Sequence, residues 1–283
     1  MEENQKCYRF EKRLLSGNLL FDKSVCATYI IHLEDNGRLD AVNEQLKEYQ
    51  PTKIVYIAYN KGYKKCNKNS KIDQPAYDLI DAYLQIFKHA EKEKYQNILI
   101  LEDDFFFNVK IKDAFHQDNI KTFLNSHKDT QFVYRLGCTP LLQIPYNYYN
   151  NITIAGGTHS TVYSKHFRDY VLENNQQLDI RDWDLLLNMN FLHQYCYYIP
   201  ICYQLFPKTE NSMLWGNGYG KIFNKLFVFI THGILNLLKL DVQPEPGYSL
   251  FYIFSKILFY ILVFLILYLA LPKIIYKSIF NKK

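Results

Sequence analysis

The stretch Ile98-Leu99-Ile100-Leu101-Glu102-Asp103-Asp104-Phe105-Phe106-Phe107 (ILILEDDFFF) decides the fold. Four branched apolar residues in a row leave no polar face for water. That pattern predicts a strand covered on both sides, as in parallel sheets flanked by helices. Three acids follow at the point where the strand ends, and in open α/β sheets ligands bind at that end. Adjacent carboxylates repel one another and are costly near a core unless a cation relieves them. Hard oxygen ligands of this kind suit Mg²⁺ or Mn²⁺, shared with a substrate phosphate. An acidic turn that caps the next helix is the plainer alternative, and the stretch alone leaves both open.

The flanking sequence supplies the rest of an alternating pattern. Val25 to His32 (VCATYIIH) reads as a buried strand and Gly37 to Tyr49 as a helix ended by Pro51. Lys53 to Tyr59 (KIVYIAY) is a second strand, followed by a lysine-rich loop from Lys61 to Lys71. Ile80, Tyr83, Leu84 and Phe87 then recur at i, i+3, i+4 and i+7, one core-facing helical stripe. A helix near Ile111 to Asn125, a strand at Gln131 to Leu136 and mixed structure to about residue 215 complete the domain. Strands alternating with helices predict an α/β fold with a doubly wound, mostly parallel sheet. The expected division is an N-terminal extension (1–24), the α/β domain (25–215), an amphipathic juxtamembrane segment (216–247), and a transmembrane helix with a basic tail (248–283).

Charge follows the same division. Of 33 basic residues, five (Lys256, Lys273, Lys277, Lys282, Lys283) lie in residues 251–283, which hold no acid, so residues 1–250 balance 28 basic against 28 acidic residues. A neutral globular part argues against nucleic acid as the main partner. Six cysteines, at 7, 26, 66, 138, 196 and 202, show no metal-ligand spacing and no disulfide framework. Cys26, Cys138 and Cys202 sit in apolar runs, which suits buried thiols. The first 25 residues contain no secretory apolar core, so Asn151-Ile152-Thr153 reads as a chance glycosylation sequon.

Ile257 to Leu271 is an unbroken apolar run of 15 residues, and extending it back to Leu250 gives 22 interrupted only by Ser255 and Lys256. About 20 such residues span a bilayer, with lysines snorkelling at either end. The expectation is a single-pass C-terminal anchor that leaves the domain in the cytosol. A buried core helix or a hydrophobic hairpin is the alternative. Ile222 to Leu240 is apolar and amphipathic, which suits either the membrane surface or the globular domain.

Three clusters in the second half of the domain carry polar chemistry. In AGGTHSTVYSKHF (155–167), Gly156-Gly157 permit close approach of backbone to a ligand, and His159 and Ser160 precede a helix starting near Ser164. In RDWDLLLN (181–188), Asp182 and Asp184 open a helix, as caps or with one of them as a general base. In YYIPICYQLFPKTENS (197–212), a strand bearing Gln204 runs into a loop where Thr209, Glu210 and Asn211 suit a hydroxylated substrate.

In this order, from YIIHLEDNGRLDAVNEQL (29–46) through ILILEDD, AGGTHSTVYSKHF, DWDLLLN and CYQLFPKTENS, the set resembles glycosyltransferases of the GT-A type. It is similar in particular to the family of lipooligosaccharide and procollagen galactosyltransferases and to sequences from large DNA viruses, over roughly residues 25 to 215. The resemblance implies a metal-dependent, inverting hexosyl transfer from a nucleotide sugar, a UDP-sugar first, to a hydroxyl on a glycan, protein or lipid. EDD is the counterpart of that fold's Asp-x-Asp motif, with Glu102 departing from it in the first acidic place. By the same resemblance, Asp104, with Asp103 and Glu102, would hold Mn²⁺ or Mg²⁺. His32, Arg38, Glu102, Asp103, Gly157, His159 and Gln204 would contact the donor, and Asp184, then Asp182, would be the base. Two alternatives stand beside it: an inactive glycosyltransferase fold that binds a glycan or nucleotide sugar, and a phosphate-processing α/β enzyme that uses the acids for Mg²⁺.

Overall fold

The computed structural model describes residues 6–175, 177–217 and 220–280. Its elements are β1 (Tyr8–Leu14), β2 (Ala27–Leu33), α1 (Leu39–Glu48), β3 (Ile54–Asn60), α2 (Pro75–Lys92), β4 (Ile98–Glu102), β5 (Phe106–Phe107), α3 (Ala114–Ser126), β6 (Val133–Arg135), β7 (Thr139–Pro145), β8 (Asn150–Gly156), β9 (Ser160–Tyr163), α4 (Lys165–Asn174), α5 (Trp183–Met189), β10 (Gln194–Tyr197), β11 (Cys202–Tyr203), α6 (Glu210–Met213), α7 (Lys221–Leu237) and α8 (Gly247–Phe280). Among the described residues, nine strands form one sheet in the order β1-β3-β2-β4-β9-β6-β10-β8-β7, and β11 pairs with β5 apart from it.

The sheet is mixed, with six of its nine strands running in one direction. β2 runs parallel to β3 and β4, and β6 runs parallel to β10. β9 is inserted antiparallel between β4 and β6, while β1 and the β7–β8 hairpin add antiparallel edges. Helices cover both faces, as the apolar run at 98–101 predicts. Leu99 and Leu101 face Val42 and Leu46 of α1 and Ile120 and Leu124 of α3. Ile98 and Ile100 face Tyr83, Ile86 and Phe87 of α2, Phe167 of α4 and Trp183 of α5. All four strand residues are fully buried, and each contributes about 1.5–3 kcal/mol of apolar burial.

The sheet also takes in residues that the sequence assigns to an extension. Tyr8–Leu14 (YRFEKRL) alternates charged and apolar side chains, and it pairs antiparallel with β3 as an edge strand. That pairing sets Tyr8 opposite Asn60, and Lys61 N donates to Cys7 O (3.1 Å), so Cys7 lies beside the loop after β3. There it forms a disulfide with Cys66, 59 residues away, where the cysteine spacing gave no framework. Disulfides persist in oxidising surroundings, so this pair lends no support to a cytosolic domain. Cys26 is exposed rather than buried, at the start of β2, whereas Cys138, Cys196 and Cys202 are buried. Asn151 of the sequon is buried within β8.

α8 begins on the domain and then leaves it. Tyr248, Tyr252 and Ser255 are buried, Tyr252 packs with Cys138, Ala155 and Cys196, and Lys256 Nζ donates to Tyr198 O (2.9 Å). The segment Gly247–Ala270 is long and apolar enough to cross a membrane. Lys282 and Lys283 of the basic tail lie outside the described residues.

Candidate active site

The chain leaves β2 through α1 to β3 on one side of the sheet, then returns through α2 to β4 on the other. The two connections part between the carboxyl ends of β2 and β4, which opens a crevice at this switch point. His32 to Arg38 line it from β2, and Glu102 to Asp104 from β4.

The three acids have three different settings. Asp103 is buried and saturated with donors. Its Oδ2 lies 2.9 Å from His32 Nδ1 and accepts from Leu33 N (3.1 Å) and Asn36 Nδ2 (2.6 Å), while Oδ1 accepts from Arg38 Nη1 (3.0 Å). Burial alone would raise this carboxyl, but the hydrogen bonds from His32 and Asn36 and the Arg38 charge outweigh it and hold it below its ordinary range. Asp104 is half-buried, with Arg38 Nη1 on Oδ2 (2.9 Å) and Gln204 Nε2 on Oδ1 (2.8 Å). Burial still leaves it raised.

Glu102 bonds instead to α2 and to the loop after β8. Its Oε1 accepts from Thr158 Oγ1 (2.8 Å) and Tyr83 Oη (3.2 Å), and Oε2 takes no protein hydrogen bond among the described residues. Burial, reinforced by the Asp104 charge and more weakly by Asp184, pushes this carboxyl well above the usual range.

Asp184 enters the same crevice through the glycine-rich loop. Asp182 caps α5 by accepting from Leu185 N (2.8 Å), the bland role its position suggested. One residue into the helix, Asp184 is held at both oxygens: Oδ1 by Arg135 Nη1 (3.1 Å) and Oδ2 by Gly157 N (3.2 Å). Gly157 sits at φ +85°, where a glycine is favoured, and its carbonyl accepts from the same Arg135 Nη1 (2.5 Å). Arg135 is fully buried and anchored by Gln194 Oε1 (Nε at 3.0 Å, Nη2 at 2.6 Å). Gly157 and Thr158 are consecutive, so one loop bonds to Asp184 with its first residue and to Glu102 with its second.

Sequence reasoning therefore named the acids and some of their partners, Gly157 and Gln204 among them, but not all that orients them. Arg135 is the clearest omission, and a lone charge inside the apolar run FVYRLGC was its signal. Tyr83 read as core and is core, yet its hydroxyl also reaches Glu102. His32 and Arg38, expected against a nucleotide, both bind Asp103. His159 is fully buried, with Nε2 3.3 Å from Cys202 O, and burial pushes it down to about 4, so it supports the loop as a neutral ring. Gln204 joins Asp104 to α8: its N donates to Tyr248 Oη (3.1 Å), whose hydroxyl donates to Gln204 O (3.0 Å). Thr209 caps α6 through Ser212.

A divalent ion held through one or two carboxylates and a substrate diphosphate needs no third protein ligand. Glu102, with an open oxygen and a charge its surroundings disfavour, fits that chemistry, and Asp104 beside it would exchange Arg38 or Gln204 for the ion. Asp103 would have to release more, since it accepts from four donors. Among the described residues no group of three or more His, Cys, Asp or Glu is arranged to hold a metal.

Fold and site together define an α/β protein with a carboxylate-lined crevice at the switch point of its sheet. No protein-family model matches the chain, and no curated protein matches it. Among solved structures it is similar to a glycosyltransferase involved in the glycosylation of the major capsid of PBCV-1, at 10% identity and a TM-score of 0.38, over 65% of this chain and 95% of that one. It is also similar to A197 from STIV, at 12% identity and a TM-score of 0.36, over 61% of this chain and 81% of that one.

Proposed function

We propose that the chain is a membrane-anchored glycosyltransferase that moves a sugar from a nucleotide sugar, a UDP-sugar first, to an acceptor hydroxyl with inversion. The observation that carries this reading is the Gly157-Thr158 junction, which sets Asp184 and Glu102 on one crevice. The residue order that resembles GT-A enzymes supports it. Asp184, oriented by Arg135 and Gly157 and with its side chain 37% exposed, would take the proton from the attacking hydroxyl. Glu102 and Asp104 would hold Mn²⁺ or Mg²⁺, which when bound supplies charge neutralisation for the leaving diphosphate. Arg38, 37% exposed at its side chain and bridging Asp103 and Asp104, offers a guanidinium fork to the same phosphates. Asp103 holds His32, Asn36 and Arg38 in place. α8 is the anchor.

One feature favours a second reading. Arg38 and Gln204 already occupy both oxygens of Asp104, as in a protein that binds a nucleotide sugar or glycan without transferring it. Donor turnover separates the two. The full chain, reconstituted in nanodiscs, is expected to release nucleoside diphosphate from one nucleotide sugar with Mn²⁺ and to lose that release in EDTA. Donor binding without release would favour the inactive fold, and absence of both would overturn the assignment.

A further inference from the structure

We propose that α7 lies in the membrane interface with its outward stripe among the lipid acyl chains, so that a surface helix as well as the span holds the domain to the bilayer. The proposal rests on the reading of α8 as a span. α7 has two apolar faces, and the domain covers only one. Val228, His232 and Leu235 are buried, His232 stacks on Trp215 (centroids 5.6 Å apart), and Asn224 Nδ2 donates to Trp215 O (2.8 Å). With 3.6 residues per turn, Ile222, Leu226, Phe229, Ile230, Ile234 and Leu237 fall on an arc of roughly 140° on the opposite side. All six are exposed, Ile222, Phe229 and Leu237 at 86%, 77% and 80%.

A helix apolar on both faces belongs in a core or in lipid, and an outward stripe of this kind is not an ordinary soluble surface. Two features name a bilayer as its occupant. The first is continuity with the span: Leu235 and Leu240 pack on Tyr248, so the end of α7 adjoins the start of α8. The apolar span Gly247–Ala270 has 24 residues and is about 36 Å long as a helix, enough for a hydrocarbon core of about 30 Å. Its first turn, which the end of α7 adjoins, is therefore at headgroup level. The second is polarity at the border of the stripe, where the exposed Lys225 can reach anionic headgroups while its stem stays apolar.

Depth-dependent quenching tests this in the full chain. In a Cys26→Ser background, single cysteines at F229C and L237C in α7, I261C in α8 and L14C on the edge strand are labelled with bimane, in phosphatidylcholine–phosphatidylserine vesicles carrying 5-doxyl or 12-doxyl lipid. F229C and L237C are expected to lose about half their emission to the shallow quencher and less to the deep one, as for a helix seated about 5–10 Å into the interface. I261C should respond most to the deep quencher, and L14C to neither. Quenching at I261C with none in α7 overturns the proposal and leaves the anchor standing. No quenching at either helix overturns the anchor and the proposal together. F229C chains that stay unquenched and cross-link to one another would assign the stripe to a second copy and overturn it.

Discussion

The chain carries two acidic turns, Glu102-Asp103-Asp104 after β4 and Asp182-Trp183-Asp184 at the start of α5, and each divides into a structural acid and others aimed at the crevice. In the first turn the structural acid is Asp103, which accepts from four donors and organises the β2–α1 loop. In the second it is Asp182, which caps a helix with one backbone bond. Their neighbours are held differently: Asp184 at both oxygens by groups that orient it, Glu102 at one oxygen only. On the proposed function, what each carboxylate holds in place, rather than its position in a motif, separates support from chemistry.

The widest separation should appear between the two acids of the second turn. Asp184→Asn keeps the shape and removes the proton acceptor, so turnover should fall about 10²–10⁴-fold, the usual weight of a general base. Asp182→Asn retains a good N-cap, and its turnover should stay within about threefold of the parent. Both rates are measured per folded molecule, with thermal unfolding as the control, because Asp184 also pairs with the buried Arg135. Equal losses in the two variants would erase the division.

In the first turn the contrast is one of stability. Asp103→Ala leaves His32, Leu33 N and Asn36 without their acceptor, while Arg38 keeps Asp104, and should destabilise the domain by about 1–3 kcal/mol. Glu102→Gln should do the opposite in EDTA at pH 7.5. Its carboxyl is raised in the folded chain by burial and by Asp104, so its ionised form opposes folding above the ordinary carboxylate range, and a neutral amide removes that opposition. A higher melting temperature with lower turnover is the expected outcome for Glu102→Gln. Loss of stability there would show Glu102 to be another support.

Much of the scaffold for these turns was legible because it rests on local period. The 98–101 run, the alternating strands before it and the i, i+3, i+4, i+7 stripe of α2 each declare their class within a few residues. What stayed illegible depends on partners distant in sequence. β1 is an edge strand whose outward charges disguise it, and it is identified only by pairing with β3 some fifty residues on. Cys7 finds Cys66 through that pairing. Arg135 reaches Asp184 across 49 positions and Tyr83 reaches Glu102 across 19, through an α/β topology that a residue pattern predicts in class but not in register. Asp103 illustrates the limit: its place in EDD suggests a ligand, and only the folded β2–α1 loop reveals four donors already there.

The smallest effect concerns a buried group whose partner is neutral. His116 of α3 is buried, with Nδ1 2.8 Å from Tyr197 Oη, and burial holds it below its ordinary value. The unfolded chain, with an ordinary histidine near 6.5, then binds the proton more readily than the folded one. Stability from this site is therefore complete above about pH 6.5 and declines as the pH falls toward the lower folded value. His116→Phe should flatten the fall in stability between about pH 6.5 and 5 relative to the parent, at a cost of about 1 kcal/mol at pH 8 for the lost hydrogen bond to Tyr197. Chemical denaturation at the three pH values measures both. An unchanged slope would mean that the folded chain accommodates the imidazolium at 116, and that a neutral hydroxyl beside a buried histidine can serve it as a carboxylate would.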